Sequence, residues 1–216
     1  MIPQINLLEA AASIIALMIA IIGHEIMHGY IAYRYGDTTA KNAGRLNINP
    51  LVHIDLVGSI LVPLVLFLGH APFLFGWAKP VPVNMMTVLQ RGGYGAAIAV
   101  SLAGIIYNLF CACIVSVVFP LFVFEGVVGE FVIHLMIAMI MMNVVLAVFN
   151  LWPIPPLDGS NALRFWGLSR GWRSLVVMMN KLDRYGMIIL ILILATPLSA
   201  ILLLPAQWIL SILLPF

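Results

Sequence analysis

Charge is what this sequence has least of. Asp, Glu, Lys and Arg make up 8% of its 216 residues, against about 25% in an ordinary soluble domain. A chain that is 63% apolar cannot clothe a water-exposed surface with so few charges, which excludes a freely soluble globule. Cysteine is nearly absent as well. Cys111 and Cys113 lie within one apolar run and, two positions apart, point to different faces of a helix. They read as small apolar fillers rather than a disulfide or a shared metal site. The net charge of +2 is too small to imply nucleic-acid binding. There is no internal repeat and no low-complexity linker, so 1–216 reads as a single membrane-embedded domain.

What the sequence has instead is long uncharged tracts, at 56–78, 92–124, 131–157 and 185–216. Each exceeds the ~20 residues that cross a hydrocarbon core. A first span runs over about 5–35. Residues 1–23 lack a basic leader and lead straight into His24 and Glu25, which reads as part of a span rather than a cleavable signal. Spans at about 95–124 and 131–152 follow, the second ended by Pro153, Pro155 and Pro156. Basic residues flank the tract 56–78 on both sides, and one crossing cannot put both ends on the same face. Pro63, Gly69, Pro72 and Gly76 supply breaks for a segment that enters and returns. Such backbone needs protein or water around it, which points to a wet cavity nearby.

Short strands are plausible in the polar stretch 37–55, and 79–84 (KPVPVN) reads as an extended loop or edge strand. Residues 161–184 read as a cytoplasmic helical stretch, and 187–214, with Pro197 and Pro205, close the chain. The expected fold is an all-α polytopic membrane protein of about five to six membrane segments. Its core lies at about 5–35, 95–124 and 131–160, its small re-entrant or β-containing insert at about 37–90, and its C-terminal helices at 161–214. Three basic groups belong in the cytoplasm by the positive-inside rule: Arg34, Lys41 and Arg45; Lys79 and Arg91; and Arg164, Arg170, Arg173, Lys181 and Arg184. The connection bearing Glu125 and Glu130 belongs outside.

Within the first span stands His24-Glu25-Ile26-Met27-His28. Residues four apart share a helix face, so His24 and His28 can offer two imidazoles to one metal ion. Glu25 is turned about 100° away, free to work on a water rather than to ligate. With five His and four Glu in the chain, chance places this pattern in about 0.2% of such sequences. An ionisable group in mid-span costs at least ~2.5–3.5 kcal/mol, so it is retained for a reason. A structural alternative is a polar cluster joining helices, or a proton relay. A hydrolytic zinc site needs a third protein ligand, and His53, Asp55, His70, His134 and Asp158 are the candidates. Asp158 stands out, after the rigid Pro153–Pro156 approach and before Gly159, although an aspartate there could equally cap the next helix.

HEIMH at 24–28 and NLWPIPPLDG at 150–159 resemble the paired motifs of the site-2 protease family of intramembrane metalloproteases. GRLNINPLVHID at 44–55 and GWAKPVPVN at 76–84 are similar to its short, PDZ-less prokaryotic branch. The resemblance implies a three-helix catalytic core and one Zn²⁺ per chain, held by His24, His28 and Asp158. It makes Glu25 the residue that activates the hydrolytic water. Asn150 would contact substrate or the oxyanion, with His53 and Asn108 as further candidates for that neighbourhood. It implies transmembrane protein substrates, the lipid bilayer as partner, and a site facing the cytoplasmic side of the inner (plasma) membrane. One departure is Ala103-Gly104-Ile105-Ile106-Tyr107-Asn108, where the family often has a proline after the glycine. A straighter helix is expected there, and Asn108, like Asn143, could simply join helices. His70 and His134 read as packing histidines, and Trp77, Trp152, Trp166, Trp172 and Trp208 as interfacial anchors. The competing readings are an ion or proton transporter, which should show an inverted repeat, and a metal-binding protein without hydrolysis.

Overall fold

The structure is a computed structural model that describes residues 6–69, 76–124 and 129–214. The break expected at Pro72, the packing role expected of His70 and the outside position of Glu125 fall outside the described residues.

Helix α1 spans Leu7–Arg34, 28 residues. The Asn6 side chain accepts from the Leu8 N–H at 3.0 Å at its start, and Arg34 sits in its last turn, where the helix dipole favours a cation. A short α2 (Thr39–Asn42), a 3-10 turn (Pro50–His53), a π-helical turn (Leu56–Leu61) and α3 (Val62–Leu68) follow. Helix α4 (Met85–Phe124) is two helices joined at Gly93, whose φ of 65° costs little without a Cβ. Helix α5 spans Glu130–Leu151. The chain then turns, through a cis Pro155–Pro156 bond, into α6 (Asp158–Ser169) and α7 (Arg173–Asp183). It ends in α8 (Gly186–Leu194) and α9 (Leu198–Leu213).

Helices α1, α4 and α5 pack on one another and form the frame. Ala12, Ala16 and Ala20 of α1 recur every four residues and are fully buried, so the neighbouring backbones can come close. Ala112 of α4, Ile140, Val144 and Val148 of α5 and Ala206 of α9 make a second apolar core. Outward faces stay apolar, as with Val117 (74% exposed) and Phe110 (63%), which suits acyl chains and not water.

The structure is an all-α membrane protein, with fewer crossings than the expected five to six. Among the described residues three helices, α1, α4 and α5, are long and apolar enough to span, and a fourth span exists if α8 and α9 count as one. Those two are bent by 81° at their break. The physical reason is that two of the apolar tracts form short or bent helices. Helix α3 has 7 residues, roughly 10 Å of helix, and Pro197 separates α8 from α9. Each apolar tract is long enough in sequence but too broken to cross as one rod. No strand forms among the described residues, so the β-containing insert is not found. Residues 76–84 are extended, as the prolines dictate, but lie beside no partner strand.

Asp37 ties the end of α1 to this extended segment. Its Oδ1 accepts from the Thr39 N–H (2.9 Å) and hydroxyl (2.5 Å), and its Oδ2 from the Asn84 N–H (2.6 Å). Burial pushes its pKa up, but these hydrogen bonds to the charged form outweigh burial and hold it below the ordinary carboxyl value. A folded-state pKa below the unfolded one stabilises the fold above the unfolded value, and that contribution fades as pH falls through the folded value. Asp37→Asn is therefore expected to lower stability at pH 7 by about 1 kcal/mol. The gap to wild type should shrink below pH 3.8, the ordinary carboxyl value, in unfolding measured across a pH series. A gap that widens in acid would contradict this.

Candidate metal centre

Three elements bring one polar cluster together. Helix α1 supplies His24 and His28 on one face. Helix α6 supplies Asp158 as its first residue, and α4 passes behind both rings. His24 Nε2 lies 2.9 Å from Asp158 Oδ2, His28 Nε2 lies 3.2 Å from the same oxygen, and the two Nε2 atoms are 3.1 Å apart. The two histidines and the aspartate form a group that could hold a metal ion.

The opposite ring nitrogens determine what these atoms are. His24 Nδ1 is 2.7 Å from Asn108 Oδ1, and His28 Nδ1 is 2.7 Å from the Val100 carbonyl. Both partners are oxygens that only accept, so each Nδ1 carries the proton and donates. With neutral rings both Nε2 atoms present lone pairs, and Asp158 adds a carboxylate oxygen. Three such atoms converge on one point, where a metal ion, or in its place protons shared between the imidazoles and the carboxylate, satisfies them. Tetrahedral zinc with ligand bonds of ~2.0–2.2 Å separates its ligand atoms by about 3.3–3.6 Å. The observed 2.9–3.2 Å lies a few tenths of an ångström below that range, and the donor set suits zinc.

Local chemistry explains the convergence. Gly104 lies against the His24 ring, where a Cβ would stand 2.5 Å from the imidazole, so only glycine lets α4 approach. Gly159 serves in the same way. A Cβ there would run into the Leu151 and Trp152 carbonyls, so its value is close approach of α6 to the end of α5. Asp158 does not cap its helix. Leu157 is the N-cap, without a side-chain bond, and Asp158 turns its carboxylate to the histidines from the positive end of α6.

Glu25 lies apart from the three, and its Oε2 accepts from the Val81 N–H at 2.8 Å. Asn108 is fully buried, and its Nδ2 donates to the Ala20 carbonyl (3.1 Å) and to Asn143 Oδ1 (2.8 Å). Both of its N–H groups are thus committed, and it has none for a substrate oxyanion; it holds the His24 ring and joins α1, α4 and α5. Asn150 donates to the Leu146 carbonyl of its own helix at 3.0 Å and is not bonded to the cluster. His53 is buried, and its Nε2 pairs with the Asn47 carbonyl at 2.8 Å, away from the metal-capable group. Asp55 caps the turn at 56–61 through the Val57 and Gly58 N–H groups, and His134 is not part of the metal-capable group. Sequence reasoning missed Val100 and Val81, whose contributions are backbone atoms and leave no residue-type signal.

The fold and cluster define an all-α membrane protein with a part-buried His-His-Asp centre and a glutamate next to one of its histidines in sequence. The chain is 36% identical over 197 residues to “Putative zinc metalloprotease YwhC” of Bacillus subtilis (strain 168), covering 89% of this chain and 84% of that one. It is 30% identical over 182 residues to “Putative zinc metalloprotease Rip2” of Mycolicibacterium smegmatis (strain ATCC 700084 / mc(2)155), covering 81% of this chain and 62% of that one. No family model and no solved structure matches the chain. The identity and coverage show that the chain belongs to the family of these relatives, the site-2 protease family that its motifs resemble.

If Asn108 fixes the His24 ring, Asn108→Leu should weaken divalent-metal binding about 10–100-fold. Asn108→Asp, which keeps an acceptor for Nδ1, should lose less. Competition against a chelator on the purified chain measures both, and equal affinities for Asn108→Leu and wild type would refute the role.

Proposed function

We propose that the protein is an intramembrane zinc metalloprotease that hydrolyses peptide bonds of transmembrane protein substrates near the cytoplasmic face. The observation that carries this reading is the convergence of His24 Nε2, His28 Nε2 and Asp158 Oδ2 within 3.2 Å, with both Nδ1 atoms committed elsewhere. Membership in a family whose relatives bear metalloprotease names supports it. His24, His28 and Asp158 would hold one zinc ion, which supplies Lewis acidity to the hydrolytic water and the scissile carbonyl.

Glu25 is the general base. Val81 holds its Oε2, which leaves Oε1 to take the proton from the water and return it to the leaving amine. Asn150 is the better oxyanion candidate of the three polar residues named from the sequence, because one of its Nδ2 hydrogens is uncommitted. His28 stands six residues before the basic end of α1 at Arg34, roughly 9 Å along the axis. That depth and the basic residues of α6 and α7 favour a plasma-membrane protein with its site towards the cytoplasm.

A helical substrate hides its carbonyls in i→i−4 hydrogen bonds, so it must unwind before it can be cut. The outer edge of 79–84 carries Pro80 and Pro82, which offer carbonyls but no N–H. An unwound peptide held there would donate and not accept.

Two outcomes are expected. Glu25→Gln should retain zinc while cleavage of a transmembrane substrate falls at least ~100-fold, and Asp158→Asn should lose both. Metal analysis beside a gel-based cleavage assay separates these results; a Glu25→Gln chain that still cleaves would refute the base role, and a zinc-loaded wild type that does not cleave would leave only metal binding. Substrates with Gly, Pro or Asn near the scissile bond should turn over faster than continuous helices, and equal rates would refute the unwinding requirement.

A further inference from the structure

The extended segment 76–84 is tied down along one edge. The Trp77 N–H donates to the Gly58 carbonyl (3.1 Å), the Lys79 N–H to the His53 carbonyl (2.9 Å) and the Val81 N–H to Glu25 Oε2 (2.8 Å). Alternate residues of an extended chain face the same way, so 77, 79 and 81 all turn inward. Pro80 and Pro82 occupy the positions between, where a missing N–H costs no inward bond. Trp77, Lys79 and Val81 therefore turn their donors to one side of this strap, and the Val81 donor ends on the proposed catalytic base.

One charged side chain secures this strap. Arg45 is 7% exposed, and its guanidinium donates to the Lys79 carbonyl at 2.6 Å and more weakly to the Pro80 carbonyl at 3.5 Å. Among the described residues no carboxylate lies within ion-pair distance of it. A buried cation held only by backbone carbonyls is costly and needs a specific return. The carbonyl it grips belongs to Lys79, two residues before the Val81 amide that reaches Glu25. Packing agrees, because a Cβ on Gly29, one turn beyond Glu25, would meet the Val81 side chain at 2.7 Å and Leu46, the neighbour of Arg45, at 2.9 Å. The strap lies directly on α1 there.

We propose that Arg45 is a positioning residue for the base: it holds the Lys79 carbonyl so that the Val81 N–H stays on Glu25 Oε2 and Oε1 stays aimed at the hydrolytic water. This rests on the proteolytic reading of the site. Arg45 touches no reacting atom. Its effect passes through two backbone groups of the strap, and it should govern the rate of the chemical step and not zinc or substrate binding.

The test compares wild type, Arg45→Met and Arg45→Lys, each as the full chain purified with zinc. Steady-state cleavage of a single-span peptide with a Gly-Pro break is read beside zinc content and the hydrogen-exchange rate of the Val81 amide. Arg45→Met should retain its zinc and a KM within about twofold of wild type, lose at least ~10-fold in kcat, and exchange Val81 faster. Arg45→Lys keeps a donor for the Lys79 carbonyl and should recover a large part of kcat and of the amide protection. Unchanged kcat or unchanged Val81 exchange in Arg45→Met overturns the proposal. Loss of zinc, a rise in KM in place of a fall in kcat, or a lysine variant no better than methionine overturns it as well. A zinc-loaded wild type that cleaves nothing would instead defeat the proteolytic reading, and the Val81 exchange would still decide whether Arg45 holds the strap.

Discussion

Three potential ligand atoms brought together at a largely buried point require a metal ion or shared protons between them. His24 Nε2, His28 Nε2 and Asp158 Oδ2 meet this condition, and neighbouring parts of the structure keep them from relaxing out of it. Were either Nδ1 free, its ring could flip or swap its proton and give the cluster a neutral solution. Asn108 and the Val100 carbonyl close that escape on the two rings. The cost of burying polar atoms among apolar helices thus turns into a preference for a cation.

The frame that enforces this is built from small residues. The alanine stripe of α1 and Gly104 of α4 bring backbones close enough for short side chains to meet. Gly159 lets α6 start against the end of α5, which brings Asp158 to histidines 130 and 134 positions earlier in the chain. Asn108 and Asn143 then link α4 to α5 with the same bonds that fix the His24 ring. Helix association and ligand orientation are one network, so a change to either is felt by both.

The reach of the sequence follows from how local each signal is. The i, i+4 pairing of His24 and His28 is a property of one helix turn, and three apolar rods announce themselves by length. Asp158 needed its paired motif, because an aspartate ahead of a helix has an ordinary use as a cap. The span count was overestimated since hydropathy measures apolar length and not continuity: α3 ends at Leu68, and α8 and α9 are bent by 81° at the break that holds Pro197. Val100, Val81 and the Lys79 carbonyl act through backbone atoms, which residue identity does not encode. Arg45 looked like one more cytoplasmic charge, and only the folded chain brings it to a carbonyl 34 residues away.

Zinc-edge X-ray absorption on the purified full chain tests the centre most directly. The expected result is one zinc per chain with nitrogen and oxygen neighbours at ~2.0–2.2 Å and the outer-shell scattering of two imidazoles. Chains that purify without stoichiometric metal under conditions that retain the fold, or a first shell that contains sulfur or lacks imidazole, would contradict it.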